Sequence, residues 1–589
     1  MKSRTSFFNP TVFKKDLTRF APVWILYTLF LLLVLLGLLD VGMDYARTQN
    51  VVTFIQIMAG VNLCYAALNV QLLFGDLYNA RLCNALHALP LRRECWFCTH
   101  TAAGLLMALA PCLVFVLVAL CMLGAGWSAA LWWLLAVMLQ YLFFFGTGVF
   151  SVMLTGNRFA QILVYGLINF LSLLAYWFAG TLYEPLMYGV TLRPDWFEIF
   201  CPMYAMAENS DYLYVARVQE NVPYYSSVIR EVTPVPTSWG YLLICAAIGI
   251  ALGAAALALY RKRDLESAGD FIAFRAVEPV FLALFTLVVG AFLQLCARLF
   301  DSSLEYVFLA VGIVVGYFVG RMLLMRTTRV FQLKSLLGLG GIAAALILSL
   351  ILVKLDAFGI VRYVPKTEDI QSVSFYSTYY RNNGGNLDVT DPEDIENIRS
   401  IHSYAVSDEA ERLDEYMTYS NGVYFTYLSI NYELTDGSYL QRRYSIPVDS
   451  EAGRTLAEYY STVEYLLGVS EEELEDVADR IISLYVDSEY VSKDRYPELY
   501  EDDRFGELLR ALAADCKTGS LIQDWGYHHG DEDPSHVYLE LQWAVPTVPG
   551  ETTDQEVWIA FYVYDSCVNT LAWLEANGFE INENAMYGG

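Results

Sequence analysis

Nowhere in these 589 residues does a glycine precede a lysine, so the phosphate-cradling pattern G-x-x-x-x-G-K-[ST] is excluded. If the chain works by ATP hydrolysis, the nucleotide sits on another polypeptide. The C-terminal region lacks Ser-x-x-Lys, His-Glu-x-x-His and Gly-x-Ser-x-Gly, and with them the common hydrolase arrangements. Cysteine is sparse and scattered. Cys64, Cys112, Cys121, Cys245 and Cys296 lie in apolar runs as small apolar fillers, and Cys95 and Cys98 form one C-x-x-C with neither a second pair nor a histidine pattern. Beyond residue 353 only Cys516 and Cys567 occur, which is no disulfide framework, and a bridge between those two stays open. Charge is missing from the centre of every long apolar run, which argues against a proton- or ion-coupled carrier.

What is present is apolar length. Runs cover Ala21–Leu39, Val52–Phe74, Ala102–Leu123, Leu131–Met153, Ala160–Leu182, Trp239–Tyr260, Pro279–Leu295, Leu304–Leu324 and Leu336–Val353. Most reach the roughly 17–25 residues that cross a hydrocarbon core as a helix. The eighth is the weakest, with Glu305 and Arg321 near its ends. Ala21–Leu39 is longer than a signal-peptide core and has no small-x-small cleavage site after it, so it reads as a retained span. The loops alternate in charge: one set carries 17 Lys and Arg, the other five. Basic short loops stay cytoplasmic. The N-terminus is therefore expected inside and, after nine crossings, the C-terminal region outside.

That region, Lys354–Gly589, carries 46 acidic and 15 basic residues, whereas residues 1–353 carry 18 and 22. Its negative field disfavours nucleic acid and anionic headgroups as partners. The expected fold class is mainly α: a polytopic helical membrane domain of about nine transmembrane helices plus a C-terminal extracytoplasmic α+β domain. The divisions are residues 1–20 (interfacial helix), 21–275 (six spans), 276–353 (three further spans) and 354–589.

Two segments between apolar runs carry pattern. Phe7–Arg19 places Phe7, Phe8, Val12, Phe13 and Leu17 apart from Lys14, Lys15 and Arg19, which suits a helix in the inner interface contacting membrane lipid; a basic flank that only fixes topology is the other reading. In Gly75–Cys95, Leu82, Leu86 and Leu89 recur at helical spacing, Pro90 stops the helix, and Arg92 and Arg93 anchor the next run. Such a helix can act as a lever for a cytoplasmic partner or simply connect two spans.

Three fragments, Asn9–Phe20 (NPTVFKKDLTRF), Leu86–Glu94 (LHALPLRRE) and Tyr260–Phe274 (YRKRDLESAGDFIAF), resemble type-2 ABC transporter permeases of Gram-positive, clostridia-like bacteria. The resemblance covers residues 1 to about 274. It implies an elbow helix at Asn9–Arg19 and a coupling helix at Leu77–Leu89 whose docking residues are Asn79, Arg81, Leu82, Leu86, His87 and Leu89. It also implies an ABC ATP-binding subunit holding ATP and Mg, a second permease subunit, and no cofactor or catalytic residue on this chain. The last three spans and the C-terminal region depart from the six-span pattern.

Gln56, Asn62, Asn69, Gln71, Gln140, Asn169 and Gln294 lie in the runs, as packing contacts between helices or as a substrate path. The aromatic-rich stretch Tyr183–Ser238 is expected to form short helices at the outer headgroup level, with a substrate gate as the alternative.

The C-terminal region alternates strand-like and helical segments and is expected to be ordered. Strands are expected at Ser372–Tyr380, Val423–Glu433 and Ser438–Ile446, the last two a hairpin across Asp436-Gly437. Helices are expected at Asp391–His402 and Thr455–Leu467, and from the capping box Ser470/Glu473 to about Leu484. A helix Phe505–Cys516, a hairpin Val537–Ala544/Glu556–Tyr564 and a helix Val568–Asn577 follow, giving two related lobes at about 370–467 and 497–579. His528, His529, Asp531, Asp533 and His536 crowd one loop, as weak metal ligands or as a solvated turn. These readings together describe the permease subunit of an ABC exporter, not an enzyme; the alternative is a membrane-anchored extracellular sensor or ligand-binding protein.

Overall fold

The structure, a computed structural model, describes residues 7–38, 44–89, 91–122, 127–191, 201–208, 212–222, 225–236, 239–300, 303–377, 387–407, 425–447, 450–460, 462, 471–486, 489–491, 496, 499, 503–518, 520–521, 536–544, 556–564 and 566–579. It divides into two compact units, Met1–Leu182 with Arg193–Ser349, and Tyr183–Leu192 with Leu350–Gly589.

The first unit is helical. Helix α1 (Pro10–Arg19) bends by 58° into α2 (Ala21–Leu38). Then come α3 (Asp44–Leu73), the short α4 (Ala80–His87), α5 (Arg93–Met122), α6 (Trp127–Leu154) and α7 (Arg158–Phe178). After α8 (Pro202–Glu208) follow α9 (Gly240–Lys262), α10 (Glu278–Leu299), α11 (Glu305–Met325) and α12 (Leu333–Lys354). Among the described residues eight helices are long and apolar enough to cross a membrane, and the bent pair α1–α2 would make a ninth. Leu26, Leu33, Ile57, Phe292 and Leu337 are exposed on their outer faces, compatible with a multi-pass membrane protein. The weakest run is a full helix, α11, because Glu305 pairs with Arg298 of α10 and Arg321 reaches Ser335 Oγ at 3.4 Å.

Small residues set the closest crossings. A Cβ at Gly146 of α6 would overlap the backbone of Gly249 in α9. In α11, Gly312, Gly316 and Gly320 follow one another at i, i+4 and i+8; a Cβ on Gly312 would stand 2.8 Å from Gly290 Cα of α10. Polar side chains join the helices: Asn62 donates to Gln140 Oε1 (3.2 Å) and to Val137 O (3.0 Å), Asn69 to Tyr141 Oη (3.0 Å), and Gln71 to Gln161 Oε1 (2.9 Å). Asn169 donates to Thr147 Oγ1 (3.3 Å), and Gln294 accepts from Trp177 (3.3 Å). Six of the seven polar residues singled out in the apolar runs are thus occupied in packing.

The aromatic stretch after α7 differs from expectation. It holds α8 but also an antiparallel ribbon, β1 (Tyr212–Val222) with β2 (Tyr225–Pro236), bulged at Arg217/Val218. Val, Ile, Tyr and Thr dominate these strands, and such side chains favour a pleated surface.

Among the described residues, the second unit holds two four-stranded antiparallel sheets of matching order. In the first, β3 (Ile370–Ser377), β4 (Leu387–Val389), helix α13 (Pro392–Ala405), β5 (Phe425–Leu434), β6 (Tyr439–Pro447) and α14 (Glu451–Tyr460) give β4-β3-β5-β6. After the short α15 (Leu474–Ala478), the second runs β7 (Ile481–Val486), β8 (Glu489–Val491), α16 (Arg504–Lys517), β9 (His536–Ala544), β10 (Glu556–Tyr564) and α17 (Val568–Ala576), giving β8-β7-β9-β10. The repeat extends to detail. Each first strand has an irregular register directly after its leading isoleucine, Ile370 or Ile481. In each the following serine bonds across to the central strand, Ser372 to Glu433 and Ser483 to Gln542. The lobe boundary and the expected helix from Ser470 to Leu484 are both corrected by this. The helix stops at Ala478, and Ile481–Val486 is a strand because pairing with β9 outweighs the local helical spacing.

The expected Asp391 cap accepts from Glu393 N at 2.9 Å, and Gly437, with φ +80°, turns the β5–β6 hairpin. Inward residues alternate on the strands: Val373 and Phe375; Leu428, Ile430 and Tyr432; Tyr444 and Ile446. With Ile395, Ile398 and Ile401 of α13, they belong to one core that continues through both lobes.

Segment 183–192 belongs to this second unit. Gly189 O accepts from Arg443 N at 2.9 Å and Val190 bridges Arg442, so the segment adds to the β6 edge. A side chain at Gly189, where φ is +72°, would overlap the Tyr444 ring.

Candidate docking helix

The loop between α3 and α5 is a clamped helix rather than one continuous turn from Leu77 to Leu89. A 3₁₀ turn, Gly75–Tyr78, ends at Asn79, whose extended backbone breaks it; the Asn79 side chain then caps α4, accepting from Arg81 N (3.0 Å) and Leu82 N (3.3 Å). Cys83 is buried and Leu86 half-buried, lining a small pocket with Phe97, His100 and Tyr260. Arg81, Leu82, Ala85, Ala88 and Leu89 are exposed.

Both ends of α4 are tied to the bundle. His87 Nδ1 lies 2.8 Å from Cys83 O, and a carbonyl only accepts, so Nδ1 carries the proton. Nε2 therefore accepts from the Tyr260 hydroxyl at 2.8 Å, on the last turn of α9. Burial lowers the His87 pKa, with Arg93 and Arg263 acting in the same sense, consistent with this neutral form. His87 is an inward latch, and of the six residues expected to dock, it, Leu86 and the capping Asn79 have structural partners while Arg81, Leu82 and Leu89 are presented outward.

Two arginines complete the clamp by satisfying helix C-termini. Arg93 Nη1 donates to Tyr260 O (3.0 Å) and Arg263 O (2.8 Å) at the end of α9. Arg263, 4% exposed, donates to Val152 O (2.7 Å) near the end of α6 and reaches Leu77 O at 3.5 Å.

Helix α1 joins the same end of this unit. Asn9 caps it and donates its own N–H to Thr99 Oγ1 at 3.1 Å, while Asp16, 5% exposed, meets His100 Nδ1 of α5 at 2.7 Å. Arg19 lies 3.9 Å from Asp76 in the turn before α4. Phe7, Phe8, Lys14 and Lys15 remain exposed. The pairings of Asp16 with His100 and of His87 with Tyr260 were not readable from spacing. The only sequence sign of them is that Asp16, His87 and Tyr260 fall in the three quoted fragments, which here meet around α4.

Of the loop considered for metal, His528, His529, Asp531 and Asp533 lie outside the described residues, and His536 opens β9. No group of three metal-ligating side chains occurs among the described residues. Compared with protein-family models, with curated proteins and with solved structures, the chain matches none.

Proposed function

We propose that this chain is the membrane permease subunit of an ABC exporter, energised by a separate ATP-binding subunit and paired with a second permease subunit. The observation that supports it is the clamped α4. Its exposed edge, Arg81, Leu82 and Leu89, is held by latches to α9 and by the turn that Arg263 and Arg19 secure. A helix fixed at both ends moves with the helices it is fixed to, which is what a lever for a nucleotide-driven partner requires. The missing Gly-Lys pair leaves nucleotide binding to that partner, where ATP and Mg belong. In this reading α4 and the N-terminus are cytoplasmic, the acidic second unit is extracytoplasmic, and the cargo is amphipathic: a lipid-like compound or an antimicrobial peptide.

Purification of the chain from its native membrane should bring down a Walker-A protein in stoichiometric amount. Leu82→Asp and Leu89→Asp place carboxylates on the outward edge without touching the core. Each should reduce transport-coupled ATP hydrolysis at least tenfold while the protein still inserts and folds. A chain that purifies without any nucleotide-binding protein, with ATP hydrolysis in the membrane unchanged by either variant, would leave the sensor reading in its place.

A further inference from the structure

The acidic second unit contains two cysteines, 51 positions apart, and the fold brings them to the same place. Cys516 closes the last turn of α16, and Cys567 is the residue directly before α17. Two sets of hydrogen bonds bracket them. On one side the buried Asp515 carboxylate accepts from Asn569 N (3.2 Å), Asn569 Nδ2 (2.7 Å), Thr570 N (2.7 Å) and Thr570 Oγ1 (2.6 Å). On the other, Ser566 Oγ donates to Ser520 O at 3.3 Å. Segment 515–520 is therefore tied at both ends to segment 566–570, with one cysteine inside each tie. Both side chains are 0% exposed, among Leu512, Leu571 and their neighbours in the core. Burial first, then the charges of Asp515 and Cys567, push Cys516 up to about 12.

We propose that Cys516 and Cys567 are a redox pair that closes into a disulfide stapling α16 to α17 when the second unit folds in an oxidising compartment. The proposal rests on the extracytoplasmic placement of this unit for its occurrence in cells, but not for its chemistry. The oxidant is a small-molecule or protein disulfide. One cysteine thiolate attacks it to give a mixed disulfide and release one thiol. The other cysteine displaces the second thiol, so two electrons and two protons leave the pair and the oxidant is reduced to two thiols. Because both sulfurs are shielded in the folded unit, exchange occurs before the lobe closes, and closure then protects the bond. Closing a loop of this length restricts the unfolded chain more than closing a short one.

The test uses full-length protein in detergent, unfolded and refolded with oxidised glutathione, then alkylated and digested without reductant. The expected result is one peptide pair joining Cys516 to Cys567, released by dithiothreitol and missing in Cys516→Ser and Cys567→Ser. The oxidised protein should also unfold at a temperature several degrees above the reduced one, whereas the two serine variants should show no redox-dependent shift. Recovery of both cysteines as separate glutathione adducts or alkylated thiols would overturn the pairing. In cells, immediate alkylation should find the pair protected, and a membrane-impermeant maleimide should label Ser400→Cys, which is exposed on α13. Free thiols in a chain labelled at position 400 would overturn the proposal while leaving the topology standing. A position 400 that labels only after permeabilisation, with the pair still closing in vitro, would overturn the topology and leave the pairing.

Discussion

His402 shows how a single buried side chain is fixed by its surroundings. It has no exposed surface, and its two ring nitrogens each lie 3.0 Å from a tyrosine hydroxyl, Tyr432 and Tyr444. Neutral imidazole has one donor and one acceptor, so one tyrosine donates and the other accepts. Burial, then the charges of Arg442 and Arg399, lower its pKa to about 3. Unfolded, the same ring takes a proton near pH 6.5. The unfolded chain therefore binds the extra proton between these values. The stabilisation is complete above about pH 6.5 and is lost as pH falls toward 3, at up to about 1.4 kcal/mol per pH unit. Hydrogen exchange of Pro392–Ala405, corrected for intrinsic rates, should show α13 losing roughly 1.5 kcal/mol more between pH 6.5 and 5 in the parent than in His402→Gln. Equal pH slopes in the two proteins would mean that the folded ring is protonated.

Among the elements, α11 depends on close approach at three successive turns. Its glycines at 312, 316 and 320 let α10 pack directly against its backbone: a Cβ at Gly316 would stand 2.8 Å from Val289 Cβ and 3.1 Å from Thr286 O. Larger side chains there must push the helices apart, at about 1–3 kcal/mol each. A Cβ on Gly340 or Gly341 of α12, by contrast, would meet nothing within 4 Å. Gly316→Leu should lower the detergent melting temperature by several degrees, and Gly341→Leu should leave it within a degree. Similar losses from both would show that the close approach at Gly316 does not set the cost, since Leu has the higher helix propensity at either position. Strand β7 teaches the complementary lesson. Leu474, Val477, Ala478 and Ile481 have helical spacing, yet Ile481–Val486 becomes strand because its partner β9 is available. A local pattern loses when a distant strand offers a full ladder.

At the scale of the molecule, the second unit draws on two separate parts of the chain. Gly189 and Val190 lie along β6, with Tyr188 and Tyr444 ring centroids 5.5 Å apart and the Arg443–Gly189 backbone bond beside them. A soluble fragment 350–589 would lack that edge. It should melt cooperatively but below the same fragment carrying 183–192 through a flexible linker, by about 2–4 °C for each kcal/mol of stability that the edge supplies. Identical melting temperatures would make the pairing of 183–192 with β6 incidental, and a non-cooperative melt would show that this unit needs the first to fold.

The sequence by itself determined what depends on near neighbours. Uninterrupted apolar length fixed the long helices, since a helix satisfies its own backbone and needs no distant partner. Asn9, Asn79 and Asp391 fixed helix starts, and Asp436-Gly437 fixed a hairpin, because caps and turns close over three or four residues. Part of the docking helix was equally legible: its place between two long helices and the helical spacing of Leu82, Leu86 and Leu89. Only the tertiary structure decided that His87 faces Tyr260 across 173 positions, that Asp16 meets His100 across 84, that Gly189 belongs to the second unit, and that Cys516 and Cys567 share a core. Residue spacing carries no record of such pairings, because they arise when separate elements come together, and the free energy that selects them is the burial of whole faces rather than the preference of any one segment.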